Sequence, residues 1–155
     1  MVKGKSLSIY LLSFIFAVSC SLIFCKSGIA KGLEHMAQNI SPQSFYDTNT
    51  FYSDAVKIGK PIAIDFYTDW CPHCQTFAPI LCDIKKQYEN KYTFVTVNGE
   101  NPENTQLMRE FNVTSYPSFF LVNPKTNQKV MVDQYLYTDP NALKGELDKF
   151  YNVNK

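Results

Sequence analysis

The chain has 155 residues, 45% hydrophobic, 19% charged and 15% aromatic, with a net charge of +1. This describes one globular domain and excludes a disordered tail, a collagen and a multi-span membrane protein. A near-neutral balance with Arg109 as the lone arginine argues against a nucleic-acid reader, which leans on bidentate arginine contacts.

Lys3 and Lys5 precede Leu7–Phe24, 18 residues without a charge. As a helix this run is about 27 Å long, just under the ~30 Å hydrocarbon core. Residues 1–30 are therefore expected to be a targeting segment. It is a signal cleaved near Ala30, an uncleaved anchor through residues 7–24, or a lipid-bearing Cys20 in Ala17-Val18-Ser19-Cys20. All three place the remainder outside the cytoplasm, in a bacterial periplasm or a eukaryotic secretory lumen, where disulfides persist. Residues 31–43 read as a linker and 44–155 as the domain. Asn39-Ile40-Ser41 and Asn112-Val113-Thr114 fit the glycosylation pattern at a frequency near chance in an Asn-rich chain.

Asn49–Ile58 reads as a short amphipathic helix stopped by Gly59. Pro61–Tyr67 is apolar on both parities, the mark of a central strand covered on both faces, so its one charge, Asp65, points inward. Cys71 to about Asn90 is helical, with Ile80, Leu81, Ile84 and Tyr88 as the buried stripe and Pro79 as a kink. Tyr92–Asn98 is a strand and Asn104–Phe111 a helix. Ser118–Val122 and Lys129–Gln134 are strands joined by the turn-rich Asn123–Asn127. Asp139-Pro140 starts the last helix, which runs to about Tyr151. The order is that of an α/β fold, a central mixed β-sheet flanked by helices on both faces.

Cys71-Pro72-His73-Cys74 opens the long helix straight after the central strand. One helical turn brings the two sulfurs within reach of a disulfide. At the helix N-terminus, unpaired N–H groups favour a thiolate on Cys71, and His73 would add a positive charge beside it when protonated. The chemistry is that of a dithiol/disulfide redox centre. Haem attachment is excluded because Gln75, not His, follows Cys74. Cys71, His73 and Cys74 lack the distant second ligand pair of a structural zinc site, so no metal and no dissociable cofactor are expected. Cys82, eight residues past Cys74, should be turned off that face and buried; Cys20 and Cys25 belong to the targeting segment.

The segment DFYTDWCPHCQTFAPIL resembles the active-site segment of the thioredoxin family. Asp65 lies six residues before the first Cys, Trp70 immediately before it, and Pro79 five after the second. Tyr116-Pro117 in NVTSYPSFFLV is similar to the family's cis-proline segment. The resemblance spans about residues 44–152 and implies a thioredoxin-like fold and protein thiol–disulfide exchange. It implies Cys71 as exposed nucleophile, Cys74 as buried resolving thiol, and Asp65 as proton acceptor and donor with a raised pKa. It also implies that Trp70 covers the disulfide and that a cis Tyr116–Pro117 bond pairs with an extended substrate.

The Pro72-His73 dipeptide is that of the DsbA-type periplasmic oxidases, on a chain too short for their helical insertion. An intermediate to oxidising potential follows, hence the oxidase or isomerase direction over the reductase. Tyr116 is bulkier than the usual residue before that proline. Electrons pass to or from a redox partner protein that the sequence does not name. The alternative is a thioredoxin-fold interaction or chaperone subunit using aromatics such as Phe45, Tyr46, Phe51, Tyr52, Phe119, Phe120, Tyr135 and Tyr137.

Overall fold

The computed structural model describes residues 50–154. The targeting segment, Cys20, Cys25, the linker, Phe45, Tyr46 and the expected start of the first helix at Asn49 lie outside the described residues. Helix α1 (Tyr52–Ile58) ends at Gly59, whose φ of 77° is left-handed and whose N–H bonds the Val56 carbonyl. Strand β1 (Ile62–Tyr67) leads into helix α2 (Pro72–Tyr88), and strand β2 (Thr93–Asn98) follows. A 3-10 turn (Pro102–Asn104) runs into helix α3 (Thr105–Glu110). Strands β3 (Ser118–Asn123) and β4 (Gln128–Met131) form the hairpin, a second 3-10 turn covers Gln134–Thr138, and helix α4 is Pro140–Asn154.

The four strands form one sheet in the order β2-β1-β3-β4. β1 pairs parallel with β2 and antiparallel with β3, and β3 pairs antiparallel with β4. Side-chain alternation divides the core into two layers. Ala63, Phe94, Phe119 and Leu121 face α2 and α4, where they meet Phe77, Leu81, Ile84, Leu143 and Leu147. Ile62, Ile64, Phe66, Val95, Val97, Phe120 and Val122 face the other way, against Ala55 and Phe111. Every residue of β1 is buried, as its two-parity apolar pattern requires. Asp65 and Tyr67 share the parity of Ala63 and so point toward α2.

Three expectations shift. The stripe of α2 runs Cys74, Phe77, Ala78, Leu81, Ile84 and Tyr88, which leaves Ile80 half-buried at its border. β4 stops at Met131 instead of Gln134, because Gln134 opens the 3-10 turn that carries the chain back to α4. Cys82 is half-buried against the core edge, not enclosed in it. Helix α2 continues through Pro79, which faces solvent. Among the described residues, no helix is long and apolar enough to cross a membrane.

The N-cap of α4 is made as its sequence suggests, with Asp139 Oδ1 accepting from the N–H groups of Asn141 (3.0 Å) and Ala142 (3.1 Å). One turn further in, Leu143 and Leu147 are fully enclosed. Leu147→Ala should therefore cost about 3 kcal/mol through lost burial and a residual cavity, and Asp139→Ala about 1 kcal/mol through the lost cap. Urea unfolding of both variants against the parent checks the order.

Candidate active site

Cys71 is the N-cap residue of α2. Its backbone is extended, and its Sγ accepts the N–H of Cys74 at 3.2 Å. An N-cap side chain takes one of the donors that the first helical turn leaves unpaired, and here the acceptor is a sulfur. Pro72 occupies the first helical position, where its missing N–H leaves no bond unmade. The Cys71 thiol faces the backbone carbonyl of Tyr116 at 3.5 Å. Both Cys71 and Cys74 are free thiols here.

Cys74 is fully enclosed, and Cys71, expected to be exposed, is only 4% accessible. The reason is aromatic cover. Buried Tyr67 clusters with Cys71 and Cys74, and half-buried Tyr116 packs against that cluster. Tyr67 was not singled out from the sequence, although its parity with Asp65 on β1 is the signal that places it there. Trp70 is 65% exposed. Its indole Nε1–H donates to Glu100 Oε1 at 2.9 Å, and its ring meets that of Tyr116 edge to face with centroids 6.5 Å apart. His73 is exposed on the first turn of α2.

Beneath the sulfurs lies Asp65, wholly enclosed on β1. Neither of its carboxylate oxygens, nor the Thr68 hydroxyl, has a hydrogen-bond partner among the described residues. Burial without compensation disfavours the charged form, so the Asp65 pKa is pushed up to about 8. The Cys74 thiol is driven far above its ordinary range, first by burial, then by its bond to Cys71 and by the nearby charges of Cys71 and Asp65; a backbone bond from Thr68 opposes this. The Tyr116 phenol is also raised, by burial and then by Glu100 and Cys74.

The Tyr116–Pro117 bond is cis. Pro117 is buried, and its carbonyl accepts from Gln134 Nε2 at 3.1 Å; the same amide reaches Ser115 Oγ at 3.2 Å. The 3-10 turn that the sequence did not announce therefore supports the proline segment. A groove of about 180 Å³ opens between the two, lined by His73, Thr76, Phe77, Pro117, Gln134 and Tyr137 among others. The structure thus gathers Asp65, Trp70, Cys71, Pro72, His73, Cys74, Tyr116 and Pro117 at one end of the sheet. Among the described residues, no group of three His, Cys, Asp or Glu side chains is placed to hold a metal ion.

A sequence model of the thioredoxin family matches residues 43–144. The chain is 36% identical over 97 residues to the chloroplastic thioredoxin-like protein HCF164 of Arabidopsis thaliana, covering 59% of this chain and 37% of that protein. It is 28% identical over 97 residues to a thiol:disulfide interchange protein TxlA homolog of Synechocystis, covering 63% and 54%. The chain thus spans little more than a third of the HCF164 sequence it matches. The fold is also that of the germline-specific thioredoxin Deadhead of Drosophila melanogaster, with a TM-score of 0.53 at 21% identity over 63% of this chain and 90% of that one. The matched stretch takes in the whole sheet, the sulfur pair and the proline segment, and the chain belongs to the thioredoxin family.

Proposed function

We propose that this chain is a thiol–disulfide oxidoreductase acting on protein thiols and disulfides outside the cytoplasm through the Cys71–Cys74 pair. The observation that carries the reading is the Cys71 sulfur at the N-cap of α2, one turn from Cys74 and bonded by its N–H at 3.2 Å. A thiolate formed there gains from the helix N-terminus, whereas burial holds the proton on Cys74. Cys71 is the nucleophile and Cys74 the resolving thiol.

In the oxidising direction, a substrate thiolate attacks Cys71 of the pair's disulfide. The Cys71–Cys74 bond breaks, a substrate–Cys71 bond forms, and Cys74 leaves with the electron pair. Asp65 protonates it. A second substrate thiolate then displaces Cys71, so two electrons and two protons pass from a substrate dithiol to the pair. A partner protein disulfide restores the oxidised pair. The reductive reaction runs the same steps backward, with Asp65 taking the proton from Cys74 as it attacks the mixed disulfide. No dissociable cofactor enters these steps.

The finer assignments follow from the same residues. Pro72 and His73 tune the pair toward oxidation, with Trp70 beside it. Tyr116 and Pro117 meet the substrate backbone next to Cys71. The charge-free run 7–24 behind Lys3 and Lys5 supports export or tethering, with residues 31–43 as linker and 44–155 as the domain.

Trp70, so close to the pair, reports its redox state. Titrating the chain against a glutathione series by Trp70 fluorescence should give a potential of about −120 to −180 mV; a value near −270 mV overturns the oxidising direction in favour of a reductase. Cys71→Ser should abolish turnover. Cys74→Ser should accumulate a covalent adduct with substrate, visible as a mass increase that a reductant removes; absence of any adduct counts against the assigned order of attack.

The Asp65 pKa has a stability consequence. The folded value is raised, so the folded state holds this proton longer than the unfolded chain does. The contribution is fully present below the ordinary carboxylate range and is lost as pH rises through about 8. Parent stability should therefore fall between about pH 4 and pH 8, by up to ~1.4 kcal/mol per pH unit, and Asp65→Asn should flatten that slope. The same variant should slow resolution of the mixed disulfide roughly 10²-fold near neutral pH. Chemical denaturation across pH and rapid-quench kinetics measure the two effects separately.

A further inference from the structure

Gly99 follows the last residue of β2, and its N–H donates to the Tyr67 carbonyl at 2.8 Å. Its backbone is not in the left-handed region; among the described glycines only Gly59 has a positive φ. Backbone conformation therefore gives no reason for glycine at this position. Space does. A Cβ there would lie 2.6 Å from Cζ and 2.8 Å from Cε1 of Tyr116, and closer still to its hydroxyl. The ring is a rigid plane and cannot bend away as a lysine tip would, so a side chain at residue 99 displaces Tyr116 as a whole.

Tyr116 is a large, half-buried aromatic directly before the cis proline. Its ring reaches from the proline segment to Gly99 at the end of β2, and the residue packs against the cluster of Tyr67, Cys71 and Cys74. Its flank is fixed by the edge-to-face contact with Trp70. Trp70 is itself held by Glu100, the neighbour of Gly99, and the Glu100 N–H is bonded by Asn98 Oδ1 at 2.8 Å. The space a side chain at residue 99 would take is thus filled by the ring of residue 116.

We propose that Gly99 and Tyr116 are a matched pair that selects the substrate of this site. The inference rests on the redox reading above. Gly99 is a positioning residue: its bare backbone gives the Tyr116 ring its resting place. Tyr116 itself lines the groove with His73, Phe77 and Pro117, so the placement of its ring shapes the path by which an extended protein segment brings a reacting sulfur to Cys71. A small disulfide needs no such path.

The test uses the full chain and its Gly99→Val, Tyr116→Val and double variants, each in reduced form. Each is assayed with insulin as a protein disulfide and with 5,5′-dithiobis(2-nitrobenzoate) as a small one. Gly99→Val should lower about tenfold the ratio of the insulin to the small-disulfide second-order rate constant, measured in a single turnover with the chain's own dithiol as reductant. The double variant, which moves the bulk from residue 116 to residue 99, should recover that ratio to within about threefold of the parent. Gly99→Ala should show the same direction at smaller amplitude, and decides the matter should the valine variant not fold. Additive effects of the two valine substitutions, or equal losses on both substrates, overturn the matched pair while leaving the redox reading intact. A parent chain that reduces neither substrate overturns both.

Discussion

The constraint on which the site depends is the enclosure of β1 on both faces. A strand buried on both sides can expose chemistry only at its ends, and the C-terminal end of β1 is where three other chain segments arrive. Parallel pairing sets the end of β2 beside it, with Asn98 opposite Tyr67. Antiparallel pairing on the other side sets the start of β3 there, with Ser118 opposite Phe66. The crossover from β1 through α2 to β2 leaves the N-terminus of α2 at the same edge. β1 runs parallel to β2 on one side and antiparallel to β3 on the other, so the end of β2 and the start of β3 flank its carboxyl end. Cys71, Gly99 and Pro117 are neighbours for that reason and for no local one.

The same enclosure governs the protons. A helix N-terminus contributes about 0.3–1 kcal/mol to a charge placed at it. Lifting a carboxyl from its ordinary range to about 8 corresponds to on the order of 5 kcal/mol. Burial is thus the larger effect, and it acts on Asp65 and Cys74 together, because both lie between β1 and α2. Two groups that hold their protons past neutrality, with Cys71 at the rim above them, divide the labour of exchange. In the proposed exchange the rim sulfur is the one that meets the substrate and the enclosed pair the one that handles the proton.

Much of this was legible in the sequence because its causes are local. The two-parity apolar run of β1, the Cys-Pro-His-Cys start of α2 and the Asp139-Pro140 cap each declare themselves within a few residues, and each is found in place. The misses share a different cause. The shallow exposure of Cys71 comes from Tyr67 and Tyr116, the second 45 residues away in the chain. The fit of Gly99 to Tyr116 spans two loops that no periodicity connects. The 3-10 turn Gln134–Thr138 was hidden because Val132, whose N–H still bonds the Phe119 carbonyl of β3, continues the alternating pattern of β4 almost up to it. Its Tyr137 hydroxyl takes the Phe119 N–H at 2.9 Å and donates to the Val132 carbonyl at 3.1 Å, so a side chain bridges strand β3 to the departing chain.

That turn completes a division within the site. The sulfur pair and Asp65 sit on β1 and α2, held by regular backbone bonding and by the core on both sides. The surfaces around the sulfurs come instead from the Gly99–Glu100 loop, the proline segment and the Gln134–Thr138 turn, joined to one another by side chains. Gln134 ties the turn to Pro117, Tyr116 reaches to Gly99, and Trp70 is tied to Glu100. Under the proposed redox reading, the β1–α2 joint carries the exchanging sulfurs and the loops around it form the approach. A bulky residue before the proline is consistent with an undisturbed sulfur pair because its bulk is accommodated across the crevice, at Gly99, and not within the helix.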